Sequence, residues 1–325
     1  MKRIILLAGI VILLASCQKV IDFDTTADRT IVVNGMPSSG KQLFVNLSNS
    51  HLFLDDNTQH PIDDAQVTLK VNGVPMSPCD ISGCNYFFAH TAQDDDQIEL
   101  LVRANGETIT AHTYVPRMPL IDNMQSAYDT SFAFNLGMIS FDLQDHPDYK
   151  DYYQINIVER DSGVRYNPRH ERYDTIDTVR TTIFMFLNTN LNNNDFNFGT
   201  LATRVLILDN NIDGKKANIN LAIPLLVDTN EVEPFLHTYT LKFEAVTPER
   251  YEYLKSTALS TGMTTSFVEP APVYTNIEGN ATGIFAGNAS RQFQFTFERP
   301  EPAPTISRSQ KEAIKAAFRK NKSKK

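Results

Sequence analysis

The sequence predicts an all-β protein, with an N-terminal immunoglobulin-like sandwich followed by a larger β-sandwich that carries one packed helix. Three observations predict it. Short runs rich in Val, Ile, Thr, Phe and Tyr follow one another along most of the chain. Asn-Gly pairs punctuate them at Asn34, Asn72 and Asn105, and Asn-Gly supplies the positive φ angles of a type I′ hairpin turn. Later runs alternate apolar and polar residues with a period of two, the mark of strands with one buried face.

Residues 1–16 stand outside the fold. Lys2 and Arg3 precede an apolar run from Ile4 to Leu14, and Leu14-Ala15-Ser16 leads into Cys17. This is the layout of a secretory signal. The run falls short of the roughly 20 apolar residues that span a bilayer. Leu-Ala-Ser-Cys also fits the bacterial lipobox, in which the thiol receives a diacylglyceryl group, the leader is cut, and Cys17 becomes the N-terminus. Outer-membrane lipid is then a partner through acylated Cys17. Residues 17–28 form an acidic linker behind the anchor.

Residues 29–116 hold the first sandwich, with "TIVVNG", "QLFVNLSNS", "AQVTLKVNG", "NYFFAH" and "IELLVRANGETITAHTYV" as strands. "PRMP" (116–119) ends it, because proline cannot donate to a sheet ladder. Residues 120–299 form a second β-rich domain. In "HTYTLKFEAV", Tyr239, Leu241, Phe243 and Ala245 share one face; in "RQFQFTFER", Phe293, Phe295 and Phe297 do the same. "TPERYEYLKSTALSTG" reads as a helix with Thr247 as N-cap, Pro248 at the first position and Gly262 as a stop. Residues 300–325 are a Pro-rich linker and a basic C-terminal helix or tail. Ser309 and Glu312 make a capping box there.

Charge is unevenly spread over the 325 residues. From Arg308 to Lys325 there are eight Lys or Arg and one acid, Glu312, so the tail is locally +7 and the body from residue 17 to 307 is near −17. So acidic a body argues against nucleic acid as a partner, since neutralising phosphates needs clustered Lys and Arg. Beyond Cys17, the two cysteines in "CDISGC", Cys79 and Cys84, read as a disulfide stapling a small loop in an exported protein.

Several motifs suggest chemistry. "GMPSSGKQ" (35–42) has P-loop spacing, but a strand follows where a helix is required, so it reads as a hairpin loop. "DNNIDGK" resembles the first half of a calcium loop, with Asp209, Asn211 and Asp213 as the metal candidates. Its twelfth position is Asn220 rather than Glu, and a turn between strands is the better reading. The acids of "QDHPDYKD" (Asp145–Asp151) read as turn residues. The histidines form no metal-ligand pair, and there is no nucleophile elbow, so the chain is expected to be non-enzymatic and without cofactor. The triads Asp24-Thr25-Thr26, Asp174-Thr175-Ile176 and Asp177-Thr178-Val179 resemble the Asp-Ser/Thr-aliphatic acceptor of bacterial O-glycosylation.

Taken as a set, "VIDFD" after the cysteine, "IVVNG", "DAQVTLKVNG", "HPDYKDYYQINI", "LKFEAVTPERYEYLKS" and "FVEPAPVYTNIEGNATGIFAG" resemble the domain of unknown function 4249 family over roughly Cys17 to Phe297. The resemblance implies an envelope lipoprotein, accessory to a TonB-dependent receptor in nutrient capture or import. It implies no catalytic residues. The expected place is the outer membrane, facing the cell surface, with the periplasmic face as the alternative. The alternative function is a surface adhesin or envelope scaffold, with a glycan-active enzyme third. Candidate ligand loops are "LNNNDFNFG", with Asn193 and Asp195, and "NIEG", with Asn276 and Glu278. Gly279, Gly283 and Gly287 are expected to permit turns.

Overall fold

The computed structural model describes residues 29–50, 59–129, 135–147, 149–188, 202–225, 231–261 and 272–297. In chain order the strands are β1 (Ile31–Gly35), β2 (Gln42–Asn49), β3 (Gln66–Val71), β4 (Val74–Met76), β5 (Asp80–Ser82), β6 (Asn85–Thr91), β7 (Gln97–Ala104) and β8 (Glu107–Tyr114). Then come β9 (Leu120–Asp129), β10 (Leu136–Gln144), β11 (Tyr152–Asn167), β12 (Arg172–Thr181), β13 (Met185–Phe186), β14 (Arg204–Leu208), β15 (Lys216–Pro224) and β16 (Glu231–Val246). Helix α1 (Pro248–Thr261) precedes β17 (Ala281–Phe285) and β18 (Asn288–Phe295). Among the described residues no helix is long and apolar enough to cross a membrane.

The first sandwich packs a sheet of order β17-β1-β2-β6-β5 on one of order β4-β3-β7-β8. Alternation builds its core: Leu43, Val45 and Leu47 on β2 face Ile98, Leu100 and Val102 on β7, and all are buried. Two of the three Asn-Gly pairs are the hairpin turns their chemistry predicts. Asn72 and Gly73 have φ of 52° and 81°, and Asn105 and Gly106 have 54° and 78°. The third does not turn. Asn34 and Gly35 lie inside β1, and Gly35 is there because the Phe285 ring packs against it. A Cβ at Gly35 would meet Phe285 Cδ2 at 2.5 Å.

The second sandwich packs a sheet of order β13-β15-β10-β9 on one of order β12-β11-β16-β18. One edge of β11 is shared, with β14 pairing along Tyr152–Asn156 and β12 along Val158–Asn167. The alternating faces of β16 and β18 are as read from the sequence: Tyr239, Leu241, Phe243 and Ala245 are buried, and Phe293, Phe295 and Phe297 pack against that core. Phe141 and Phe243 meet edge-to-face at 6.0 Å, the arrangement ring quadrupoles favour. Helix α1 starts at Pro248 and buries Tyr251 and Leu254 against Leu206 and Val246. Its N-cap differs from expectation. The Thr247 carbonyl accepts the Tyr251 N–H at 3.0 Å, but the Thr247 hydroxyl is buried with no partner among the described residues.

The boundary at 120–299 is also corrected. Strand β17 lies in the first sandwich, paired parallel with β1 from Ile31↔Ala281 to Gly35↔Phe285. Ile277 and Phe285 belong to the first core, so the chain returns there before β18 re-enters the second sandwich. The crossing runs through residues 285–288. Ala286 N–H donates to Gly35 O (3.0 Å), Asn288 N–H to Pro37 O (2.8 Å) and Thr247 N–H to Gly287 O (3.2 Å). Gly287 N–H donates to Thr113 Oγ1 at 2.9 Å.

Candidate functional site

Cys17, Asn193 and Asp195 lie outside the described residues. Cys79 and Cys84, expected to pair, are free thiols, one exposed and one buried. The hairpin register explains it. Gly83-Cys84 is the two-residue turn between Ser82 and Asn85, and the Cys79 N–H donates to Phe87 O further along the ladder. The two cysteines are thus about 13 Å apart along the strand at the usual rise of ~3.3 Å per residue, against the ~4.4–6.8 Å between Cα atoms that a disulfide spans.

Asn276 and Glu278, read as ligand-loop residues, are committed to the fold. Asn276 Nδ2 donates to Phe285 O at 2.7 Å and its Oδ1 accepts the Phe285 N–H at 3.0 Å. Glu278 bridges the backbone of Thr110 and accepts the Thr110 hydroxyl at 3.0 Å. Both residues pin the segment before β17 to β8.

The calcium-like segment behaves differently. Asp209–Asn211 forms a 3₁₀ turn after β14, and Gly214 turns the chain with φ of 65°. Asp209 and Asp213 come together with Asp145, from the end of β10, each offering an oxygen within 4.8 Å of the others. Asn220 plays no part: it lies in β15 and its N–H donates to Asn188 Oδ1 at 2.6 Å. Asp151 completes the group, since its N–H donates to Asp209 Oδ2 at 2.6 Å. Tyr153 OH lies within hydrogen-bond distance of Asp145 and, at 2.9 Å, of Asp151, and its single proton serves one of them at a time. Gly214 N–H donates to the other Asp145 oxygen at 3.0 Å. His146 Nδ1 meets Asp151 at 2.9 Å. Two acidic motifs distant in sequence are therefore one centre.

Asp145, Asp151 and Asp209 are all buried, and buried carboxylates cost free energy unless neutralised. Burial pushes Asp145 up. The bonds from Tyr153 and Gly214 draw it back in part, Asp151 and Asp209 push again, and the net direction is up. Asp209 is likewise raised, by burial first and by Asp151 and Asp213 against the pull of the Asp151 N–H. Burial, with Asp145 and Asp151 beside it, pushes the Tyr153 phenol up. All-oxygen donors suit a hard cation such as calcium, and both Asp145 oxygens and one of Asp209 also accept hydrogen bonds.

A raised folded pKa stabilises below the ordinary carboxylate value of 3.8 and loses that contribution as pH rises through the raised value. Asp209→Asn keeps an oxygen for the Asp151 N–H and removes the charge. Its thermal midpoint should therefore rise relative to the unchanged protein between pH 4 and 7, by a few degrees, read by circular dichroism. Millimolar calcium should leave the unchanged protein's midpoint where it is; an increase would show that the cluster binds a cation.

A second cluster was missed. Glu159 and Asp161 continue the inward face of Tyr153, Ile155 and Ile157 on β11, and both are buried. Asp161 accepts His237 Nδ1 at 2.7 Å, and Glu159 accepts Tyr239 OH at 2.9 Å. Arg180 on β12 bridges Glu159 at 3.0 Å and Asp161 at 3.3 Å. Burial alone would raise Glu159, but the bonds from His237, Tyr239 and Arg180 hold it at about 2. The same three ligand types suit a metal; here Arg180 supplies the positive charge. His237 and Tyr239 wall a cavity of about 250 Å³ with Phe235 and Phe297. The signal was present in the sequence, as two acids at even spacing on an otherwise apolar strand face.

An all-β body of two joined sandwiches, preceded by a lipid attachment site over residues 1–18, defines a membrane-anchored lipoprotein. The chain belongs to the family described as domain of unknown function (DUF4249), whose model matches residues 18–294. No curated protein matches it. A solved structure described by the promiscuous specificity of carbohydrate-binding modules from the β-sandwich superfamily aligns over 66% of this chain and 96% of its own, at 9% identity and a TM-score of 0.20. A likeness that low defines neither fold nor ligand.

Proposed function

We propose that this lipoprotein is a non-catalytic accessory of a TonB-dependent outer-membrane receptor, working in nutrient capture or import from the outward-facing leaflet. The observation that carries the reading is the union of a lipid anchor with a welded body. The two sandwiches are joined by backbone hydrogen bonds through residues 285–288, which suits a surface held in fixed register against a partner. Asp22 and Asp24, close behind Cys17, resemble an acidic surface-export signal and favour the outward leaflet. The test is to purify the tagged lipoprotein from gently solubilised outer membranes. A TonB-dependent receptor in near-equal amount is the expected result. Recovery of the lipoprotein alone would sink the proposal and leave a free-standing adhesin or scaffold.

A further inference from the structure

We propose that Thr175 and Thr178 are O-glycosylated on their side-chain hydroxyls. Both stand in Asp-Thr-aliphatic triads, Asp174-Thr175-Ile176 and Asp177-Thr178-Val179, and the structure places the two triads in tandem on β12. Three features make that strand a substrate rather than a buried coincidence of sequence.

First, β12 is the outermost strand of its sheet, bonded to β11 on one edge. An enzyme that reads an extended tripeptide can approach from the open edge without unfolding anything. Second, both threonines are exposed, as are Asp177 and Val179. Asp177 is held by a surface pair with Arg160 at 2.9 Å, and Asp174 by Arg172 at 2.7 Å and by Asn167 Nδ2, which donates to it at 2.8 Å; exposed ion pairs exchange readily with solvent. Third, the spacing of three puts the hydroxyls on opposite faces of the strand. Thr175 lies opposite Val164 and Thr178 opposite Asp161. Two glycans so placed bracket the strand from both sides.

The bracketing answers a hazard. β12 is ten residues long and contains no proline, its pairing with β11 runs without a register shift, and Tyr173 and Val179 are 67% and 66% exposed. A long, regular, exposed edge invites pairing with another chain unless something covers it. In the transfer step the threonine oxygen attacks the anomeric carbon of a lipid-linked oligosaccharide. The carbon–oxygen bond to the lipid diphosphate breaks, the diphosphate leaves with the bonding pair, and the hydroxyl proton passes to a base of the transferase. Nothing is oxidised or reduced.

The test uses the full-length lipoprotein isolated from its own membrane. Trypsin cleaves after Arg172 and Arg180, so one peptide, Tyr173–Arg180, carries both threonines. Mass spectrometry should find that peptide with two equal glycan increments. Thr175→Val and Thr178→Val should each remove one, and the double variant both, with the far-ultraviolet spectrum unchanged. A wild-type peptide found only at its bare mass overturns the proposal. So does an increment that persists in the double variant, or one that is insensitive to either single change.

Discussion

Gly287→Ala will lower the stability of the body by about 4 kcal/mol or more, at the upper end of single-residue effects. The cause is backbone meeting backbone. A Cβ on Gly287 would lie 1.8 Å from the Tyr114 carbonyl oxygen and 2.8 Å from its carbon. Neither atom is the end of a flexible side chain, so the strand exit after β8 and the 285–288 crossing must separate. Separation costs the Gly287 N–H bond to Thr113 and loosens the bond from Thr247 N–H to the Gly287 carbonyl. Those are the bonds by which the crossing holds the first sandwich to the start of α1. The chain has no tryptophan, so unfolding is followed by circular dichroism and tyrosine fluorescence. The unchanged protein should unfold in one transition. The variant should unfold far earlier, with the two sandwiches no longer melting together.

Gly73→Ala is the comparison that isolates the mechanism. Gly73 has φ of 81°, but a Cβ there would meet nothing within 4 Å. Only the left-handed backbone is disfavoured, at about 1–2 kcal/mol. Similar losses from the two substitutions would show that the backbone around Gly287 yields to a Cβ and that the close approach is not rigid.

That contrast also marks where the fold was legible. Local chemistry could be read. Asn72-Gly73 and Asn105-Gly106 turn because their residues tolerate positive φ, β16 alternates because one face is buried, and Pro248 opens α1 because its missing N–H costs nothing there. What could not be read was set by distant partners. Asn34-Gly35 looks like its two sister pairs, but Phe285, some 250 residues later, claims the space over Gly35. Gly279, Gly283 and Gly287 look like turn residues; Gly283 in fact lies within β17, where a Cβ would sit 1.9 Å from Val33 O. Cys79 and Cys84 are near in sequence and apart in space, because a hairpin turn places one at its tip. The acidic centre shows the opposite case. Asp145, Asp151 and Asp209 each read as a turn acid, and only the antiparallel pairings of β11 with β14 and of β10 with β15 bring the loops that carry them together.

Cys17→Ser will abolish lipidation of the protein completely. The lipid attachment site spans residues 1–18, and the thiol of Cys17 is the atom that takes the diacylglyceryl group. A single acyl chain binds membranes marginally, and two chains bind stably, at about 0.8 kcal/mol per buried methylene. Removing the acceptor therefore removes the whole acyl anchor and leaves only the short apolar leader, Ile4–Leu14, in contact with the membrane. The leader, Met1–Ser16, should stay attached, because its removal follows lipidation; the retained mass is the check that processing, not folding, has failed. The body offers no electrostatic substitute, since residues 17–307 are near −17. The tail does: eight Lys or Arg lie between Arg308 and Lys325, and each is worth about 1 kcal/mol close to an anionic surface. Once the leader is also removed, binding of the Cys17→Ser chain to anionic vesicles should thus vanish at high salt, and vanish at low salt once residues 308–325 are deleted. Binding that survives both would place a second attachment in the body itself, and the lipid would no longer be the sole reason this protein stays on a membrane.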